Sequence, residues 1–375
     1  MTTILRVREP REILAYVPYQ LGFSPRRSVA LISLRGPRQR VGLIARSDLS
    51  DMTGQRSGEL AASLVHCVRR DGGESLLVVV YADGDVRDAM PAVEHVAGAV
   101  QQAAAADIDV GGVWLVTDDA FHVCGWDGEH VVDWDLPGHA TSELQDTEVG
   151  ATMVLRGQTI APSREAMAEV PAVPQRRLRA AQAAGSRYWR LRGADRDRWR
   201  LEAVELWCEV LAAAAGGASG GTARPGSEGP AAPVGRLAAS LRDVVVRDAV
   251  LAQAVLRGIR GDVPDVHGPG TDVVHDAMSL VLDPVVGRSP DPGALRSVVG
   301  VVETVAGHAT RAGAAEAFAV LAVLAWWEGS GARARLLAAA ALQRVPANRL
   351  ALLVEQVLDG AVPPGWAARG AAPRE

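Results

Sequence analysis

The chain has 375 residues, enough for about two domains, and its 48% hydrophobic and 22% charged content excludes a wholly disordered or collagen-like protein. All 39 basic residues are arginine, so a Schiff-base or pyridoxal-phosphate lysine, a phosphate-loop lysine and a Ser–Lys dyad are all ruled out. The net charge of −5 hides a segregation: residues 1–46 hold nine arginines against Glu9 and Glu12, 47–160 hold five arginines against twenty acids, and 176–200 hold nine arginines against Asp195 and Asp197.

The N-terminus places charges and Pro10 where a signal peptide needs an apolar core. The most apolar stretch, 318–327, is too short to span a bilayer. Cys67, Cys124 and Cys208 form no CxxC pair, which excludes a four-cysteine zinc site and a disulfide framework. A reduced, cytoplasmic setting without a membrane partner is expected.

Valine- and isoleucine-rich runs at 28–34, 41–46, 76–81 and 112–116 predict strands covered on both faces. Helical spacing lies between them at 11–21, closed by Gly22, at 60–70, with Leu60, Leu64, Val65 and Val68 on one side, and at 86–106, capped by Asp85. The alternation predicts an acidic α/β domain over 1–165 with a mixed, partly parallel sheet. Asp127–Gly128 between two alternating runs predicts a terminal β-hairpin pairing His122 with Asp133 and Cys124 with Val131. In that register Phe121, Val123, Val132 and Trp134 form a core face, and His122, Cys124 and Asp133 form a possible nucleophile–base–orienter set on the other. The same pairing also serves as plain cross-strand packing.

Carboxylates gather after the predicted strands: Asp48 beside Arg46, then Asp83 and Asp85, then Asp118 and Asp119. Ligands of open α/β sheets bind outside strand carboxyl ends, and acidic loops meeting there suit magnesium and a phosphate. Aspartate is equally the residue that turns and helix starts prefer. Arg26 and Arg27, in the turn GFSPRRS, are candidates for an anion or for pairing with the domain's own acids.

Prolines at 162, 171 and 174 mark the passage to a helical domain over 166–375. Trp199, Ala203, Leu206, Val210 and Ala213 form one helical stripe. Residues 214–234 have the composition of a flexible loop. Helical patterns resume at 236–259, 295–308, 314–328, 332–344 and 348–358. Within them Phe318, Leu321, Ala322, Gly329, Ala334, Ala341, Leu342 and Pro346 resemble a tetratricopeptide helix pair, and Trp326 and Trp327, pointing to different sides, are candidate partner contacts. Arg187, Arg190 and Arg198, with Tyr188, Trp189 and Trp199 interleaved, suit a partner protein or, alternatively, nucleic acid.

Blocks along nearly the whole chain, LGFSPRRSVALISL at 21–34, VGLIARSDL at 41–49, VLRGQTIAPSREAMA at 154–168, VVVRDAVLA at 244–252 and LAWWEGSGARARLLAAAAL at 324–342, resemble domain of unknown function 4192, a family of intracellular actinobacterial proteins. The resemblance implies fold, location and lineage but no activity. Members often carry a cysteine pair with proline after the hairpin, where this chain keeps only Cys124, so the resemblance implies no metal or redox role there. The reading that follows is a non-enzymatic cytoplasmic scaffold that binds another protein or itself, with no cofactor. The alternatives are a magnesium-dependent phosphoester hydrolase or nucleotide-binding protein using the strand-end aspartates, and a nucleic-acid binder using 176–200.

Overall fold

The computed structural model describes residues 10–105, 107–134, 137–155, 158–216, 231–259, 271–360 and 362–371. The chain divides into two compact units, Met1–Arg164 and Glu165–Glu375.

The first unit runs α1 (Pro10–Leu21), β1 (Ser28–Arg35), β2 (Arg40–Asp48), α2 (Leu49–Met52), α3 (Ser57–Arg70), β3 (Ser75–Tyr81), α4 (Val86–Ala104), β4 (Asp109–Val116), β5 (Ala120–Trp126), β6 (Val131–Trp134), β7 (His139–Ala140) and α5 (Glu148–Leu155). The sheet order is β2-β1-β3-β4-β5-β6, with β7 also on β5. Only the β3–β4 pair, joined through α4, is parallel; the rest are antiparallel. This is the mixed, partly parallel α/β sheet that the alternating runs predict. The central strands β1 and β3 are buried almost end to end, whereas the edge strand β2 is only half-buried. That difference is why the first two are continuous apolar runs.

Val29, Leu31, Leu76, Val78, Val80, Val113 and Leu115 form one face of the sheet and pack on Val65, Val68, Val93 and Val96 of α3 and α4. Ala30, Ile32, Val79 and Trp114 are buried on the other face, where α1 meets β2 and α5 leans on α1. Gly22, at φ 81°, ends α1 as expected, its N–H on the Pro18 carbonyl.

The terminal hairpin forms in a different register from the expected one. Gly125 lies opposite Asp133, and Cys124 opposite Trp134, with a shift between Gly125 and Trp126. The cause is Asp127. Its carboxylate accepts the N–H groups of His130 and Glu129 at 2.7 and 2.9 Å, so it precedes the turn instead of occupying it. Val132, expected in the core, is 62% exposed.

The second unit is helical: α6 (Gln175–Leu191), α7 (Arg196–Gly216), α8 (Ala231–Ser240), α9 (Val244–Gly258), α10 (Thr271–Leu282), α11 (Pro292–His308), α12 (Arg311–Glu328), α13 (Gly331–Arg344), α14 (Arg349–Asp359) and α15 (Gly365–Ala371). Of the expected loop at 214–234, residues 217–230 lie outside the described residues, while α7 runs to Gly216 and α8 begins at Ala231. The expected helix over 236–259 is two helices. Asp243 breaks it by capping α9, accepting the Val245 N–H at 3.1 Å. The α12 helix is buried on all sides from Gly313 to Trp327, the mark of a helix at a core's centre. Gly329, at φ 96°, closes it, and α13 turns back against it.

Two backbones in this unit touch at glycines. A Cβ on Gly235 would stand 2.0 Å from the Ala181 carbonyl oxygen, and one on Gly185 would stand 2.4 Å from that of Gly235. The helices α6 and α8 therefore meet at a distance that only a residue without a side chain allows.

Candidate functional site

The strand directions place the carboxyl ends of β2, β3 and β4 at one end of the sheet, together with the starts of β1 and β5. Asp48, Ser28, Tyr81, Val116 and Phe121 form one cross-strand row there. The fold thus brings the sequence-predicted acids to a common rim, and what each one does there is visible in its partners.

Asp48 accepts from Arg46 at 2.6 Å and lies 3.9 Å from Arg164. Arg46 also donates to the buried Ser28 hydroxyl at 2.6 and 3.0 Å and packs over the Phe23 ring. Asp83 faces Arg27 at 3.8 Å across an exposed gap. Asp85 accepts the Arg87 N–H and caps α4. Asp118 and Asp119 turn β4 into β5, and their carbonyls accept from Thr141. Three guanidinium groups therefore stand among the acids, and their positive charge opposes a cation. Among the described residues, no group of three or more His, Cys, Asp or Glu side chains is placed to hold a metal ion. Arg26 is exposed, its carbonyl accepting from Ser28. Arg27 takes a left-handed conformation, φ 43°, within the turn. Burial pushes the Tyr81 hydroxyl well above the usual tyrosine range, and this hydroxyl has no hydrogen-bond partner.

The expected trio does not assemble. His122 and Cys124, both buried, alternate on one face of β5, while Asp133 pairs opposite Gly125 and so belongs to the other face. The Asp133 carboxylate accepts the N–H of Trp134 instead. Gly138 packs on the His122 imidazole so closely that a Cβ would meet the ring.

In the helical unit Trp326 and Trp327 are 6% and 0% exposed. Their indole N–H groups donate to the carbonyls of Val362 and Arg288 at 3.0 and 2.8 Å. Both are core residues, and neither is a surface contact. They do point apart, but α12 has neighbours on every side. Trp199 is also buried, donating to the Tyr188 carbonyl at 3.1 Å. The half-exposed Trp189 lies edge-on to Trp199, with the guanidinium groups of Arg192 and Arg242 over its ring at 3.9 and 4.2 Å.

The arginines divide in the same way. Arg200 holds the buried Asp243 at 3.0 and 3.2 Å, and Arg196 approaches it at 3.5 Å. Arg198 pairs with Glu202 at 3.1 Å. Arg187 and Arg190 are exposed and share a face of α6 with Arg176 and Arg179. None of these four has an ion pair among the described residues. Their offsets of 3, 11 and 14 residues keep them within one stripe about 21 Å long. Sequence reading missed this stripe as a unit because α6 itself was unmarked, although the 3- and 11-residue spacings were its signal. It also missed Asp243, an aspartate directly before an apolar helical run, which is a start signal.

The chain is thus a mixed α/β sheet unit, with Asp48 and Asp83 of its rim acids facing arginines, followed by a helical unit whose α6 carries an exposed arginine stripe without an ion pair among the described residues. More particularly, the chain belongs to the family described as domain of unknown function (DUF4192), whose model matches residues 10–265 and 294–365. No curated protein and no solved structure matches it. Among the described residues no helix is long and apolar enough to cross a membrane.

Proposed function

We propose that this protein is a non-enzymatic interaction protein of the cytoplasm, and that the outer face of α6 docks an acidic segment of a partner protein. The observation that carries this is the stripe of Arg176, Arg179, Arg187 and Arg190, exposed on a helix whose inner face is fixed by glycine contact to α8. The first turn of α6 holds no acid, yet it carries arginines at the positive end of the helix dipole, a placement that costs a few tenths of a kcal/mol each in the free protein and is relieved by bound carboxylates. Nucleic acid suits the stripe less well: the aromatic rings that would stack on bases are either buried, as Tyr188 and Trp199 are, or covered by the protein's own arginines, as Trp189 is.

The test is fluorescence anisotropy with a labelled polyglutamate peptide and a labelled single-stranded oligonucleotide, on the full chain and on a variant with all four stripe arginines changed to glutamine. The reading expects the peptide to bind, the affinity to fall with salt, and the variant to lose at least about tenfold. Absence of peptide binding, or tighter binding of the oligonucleotide that the variant abolishes, overturns it.

A further inference from the structure

The last long helix of the second unit, α14, is apolar on two sides. Its inner side, with Ala351, Val354 and Leu358, lies on α12 and α13. Its outer side carries Leu352 and Leu353, 39% and 56% exposed, between the exposed Arg349 and Gln356. A helix that ends a helical stack needs a polar outer side, because no further helix of the chain arrives to cover it. Here two leucines stand in that place. The apolar surface continues past the helix. The exposed Val362 donates its N–H to the carbonyl of Val357, one turn beyond Leu353. Gly365 then packs on the backbone of Asp283, where the turn bearing the exposed Val285 and Val286 begins. Six of the thirteen large apolar side chains exposed among the described residues fall in these two short stretches, 282–286 and 352–362, a concentration that marks a contact surface.

The charges on α14 specify what covers it. Arg349, Leu352 and Glu355 follow one another at three-residue steps, one row along the helix. Neither Arg349 nor Glu355 has an ion pair among the described residues. The row is therefore self-complementary: a cation and an anion about 9 Å apart, with a leucine midway. Turned end for end about a two-fold axis at Leu352, it sets each Arg349 toward Glu355 of the other copy and leucine against leucine. A parallel alignment would set like charges together, which is unfavourable. We propose that the outer side of α14 is the contact between two copies of this chain in a two-fold dimer. One crossing of 11-residue helices is small against the ordinary interface of about 1,600 Å², so the dimer is weak, with a Kd of about 10–100 µM. The proposal is independent of the acidic-segment reading, which concerns α6.

Sedimentation equilibrium of the full chain from about 1 to 500 µM, a range that brackets this Kd, tests it. The expected result is a monomer–dimer equilibrium whose Kd rises about tenfold or more in Leu352→Glu. Arg349→Glu weakens the dimer about tenfold, and adding Glu355→Arg to it restores the affinity, an exchange that a merely structural role for these residues would not rescue. The variant with the four α6 arginines changed to glutamine dimerises as the native chain does. A chain that stays monomeric throughout, association that grows beyond the dimer, a dimer indifferent to Leu352→Glu, or a charge exchange that fails to restore it overturns the proposal.

Discussion

Replacing Gly235 with alanine tests the central packing claim, because the same exchange carries opposite signs at two places in this unit. In a helix interior, Gly→Ala alone stabilises by about 1 kcal/mol through backbone entropy. At Gly235 the new Cβ meets the Ala181 carbonyl oxygen at 2.0 Å and its carbon at 2.7 Å, against an ordinary contact from 3.4 Å. Neither obstacle is a side chain that can swing aside, so α6 and α8 have to part by more than an ångström. Parting them exposes the interlocked surface of Ala181, Ala184 and Leu237. Overpacking costs about 1–3 kcal/mol, and a backbone obstacle puts Gly235 at the upper end, so after the propensity gain of about 1 kcal/mol the net loss is about 2 kcal/mol. At Gly300, in α11, nothing lies within 4 Å of the added Cβ, and the gain of up to about 1 kcal/mol is kept. Urea unfolding followed by tryptophan fluorescence reads both variants, since six of the nine tryptophans fall in this unit. For a unit this size the Gly235→Ala loss corresponds to about 4–8 °C in Tm. A Gly235→Ala midpoint that rises alongside that of Gly300→Ala would falsify the close helix contact.

Two further outcomes follow from buried and hydrogen-bonded acids. Asp243→Ala removes the cap of α9 and the counter-charge of Arg200 together, leaving that guanidinium with only the exposed Asp197 at 3.5 Å; the expected loss is about 3–5 kcal/mol by urea melt. Asp243→Asn keeps a cap acceptor and should lose distinctly less, so equal losses would show that the ion pair contributes nothing. The N–H groups of His130 and Glu129 hold the Asp127 carboxyl below its usual range. A carboxyl depressed in the folded state stabilises the protein at neutral pH, and that contribution disappears as pH falls below the ordinary value near 4 and through the folded one. The stability difference between the native chain and Asp127→Ala should therefore close in acid, and a gap constant down to pH 2–3 refutes the assignment.

Much of the fold is legible in the sequence because its elements are locally over-determined. The runs SVALISL and LLVVVY are apolar on both faces, Asp85 and Gly22 mark helix ends, and Gly329 closes α12 where the turn requires positive φ. What was illegible depends on geometry between distant residues. The hairpin register turned on whether Asp127 sat inside the turn or bonded across it, a choice that the dipeptide Asp-Gly does not settle. Trp326 and Trp327 looked divided between core and surface because one helix shows two sides; that both sides were covered depended on the neighbours of α12. The strand-end aspartates did reach one rim, yet their pairing with Arg27, Arg46 and Arg164 came from residues 56 to 116 positions away in two of the three cases.

The distribution of unneutralised charge also fixes how the docking face has to behave. An enzyme concentrates perturbed groups in one water-poor pocket, where each interaction is large and removing one is decisive. The α6 stripe has no depth: four guanidinium groups stand in solvent along three to four helical turns. Exposed pairs of this kind contribute roughly 0.2–1 kcal/mol each and are screened within about 8–10 Å at physiological salt. Binding therefore has to arise from several weak, nearly additive contacts. Changing Arg187 alone to glutamine should weaken the acidic peptide by no more than about fivefold, while the four changes together remove most of the affinity and most of its salt dependence. If the single change abolished binding, the partner would be held by one specific bidentate contact, and the stripe would not be the docking face.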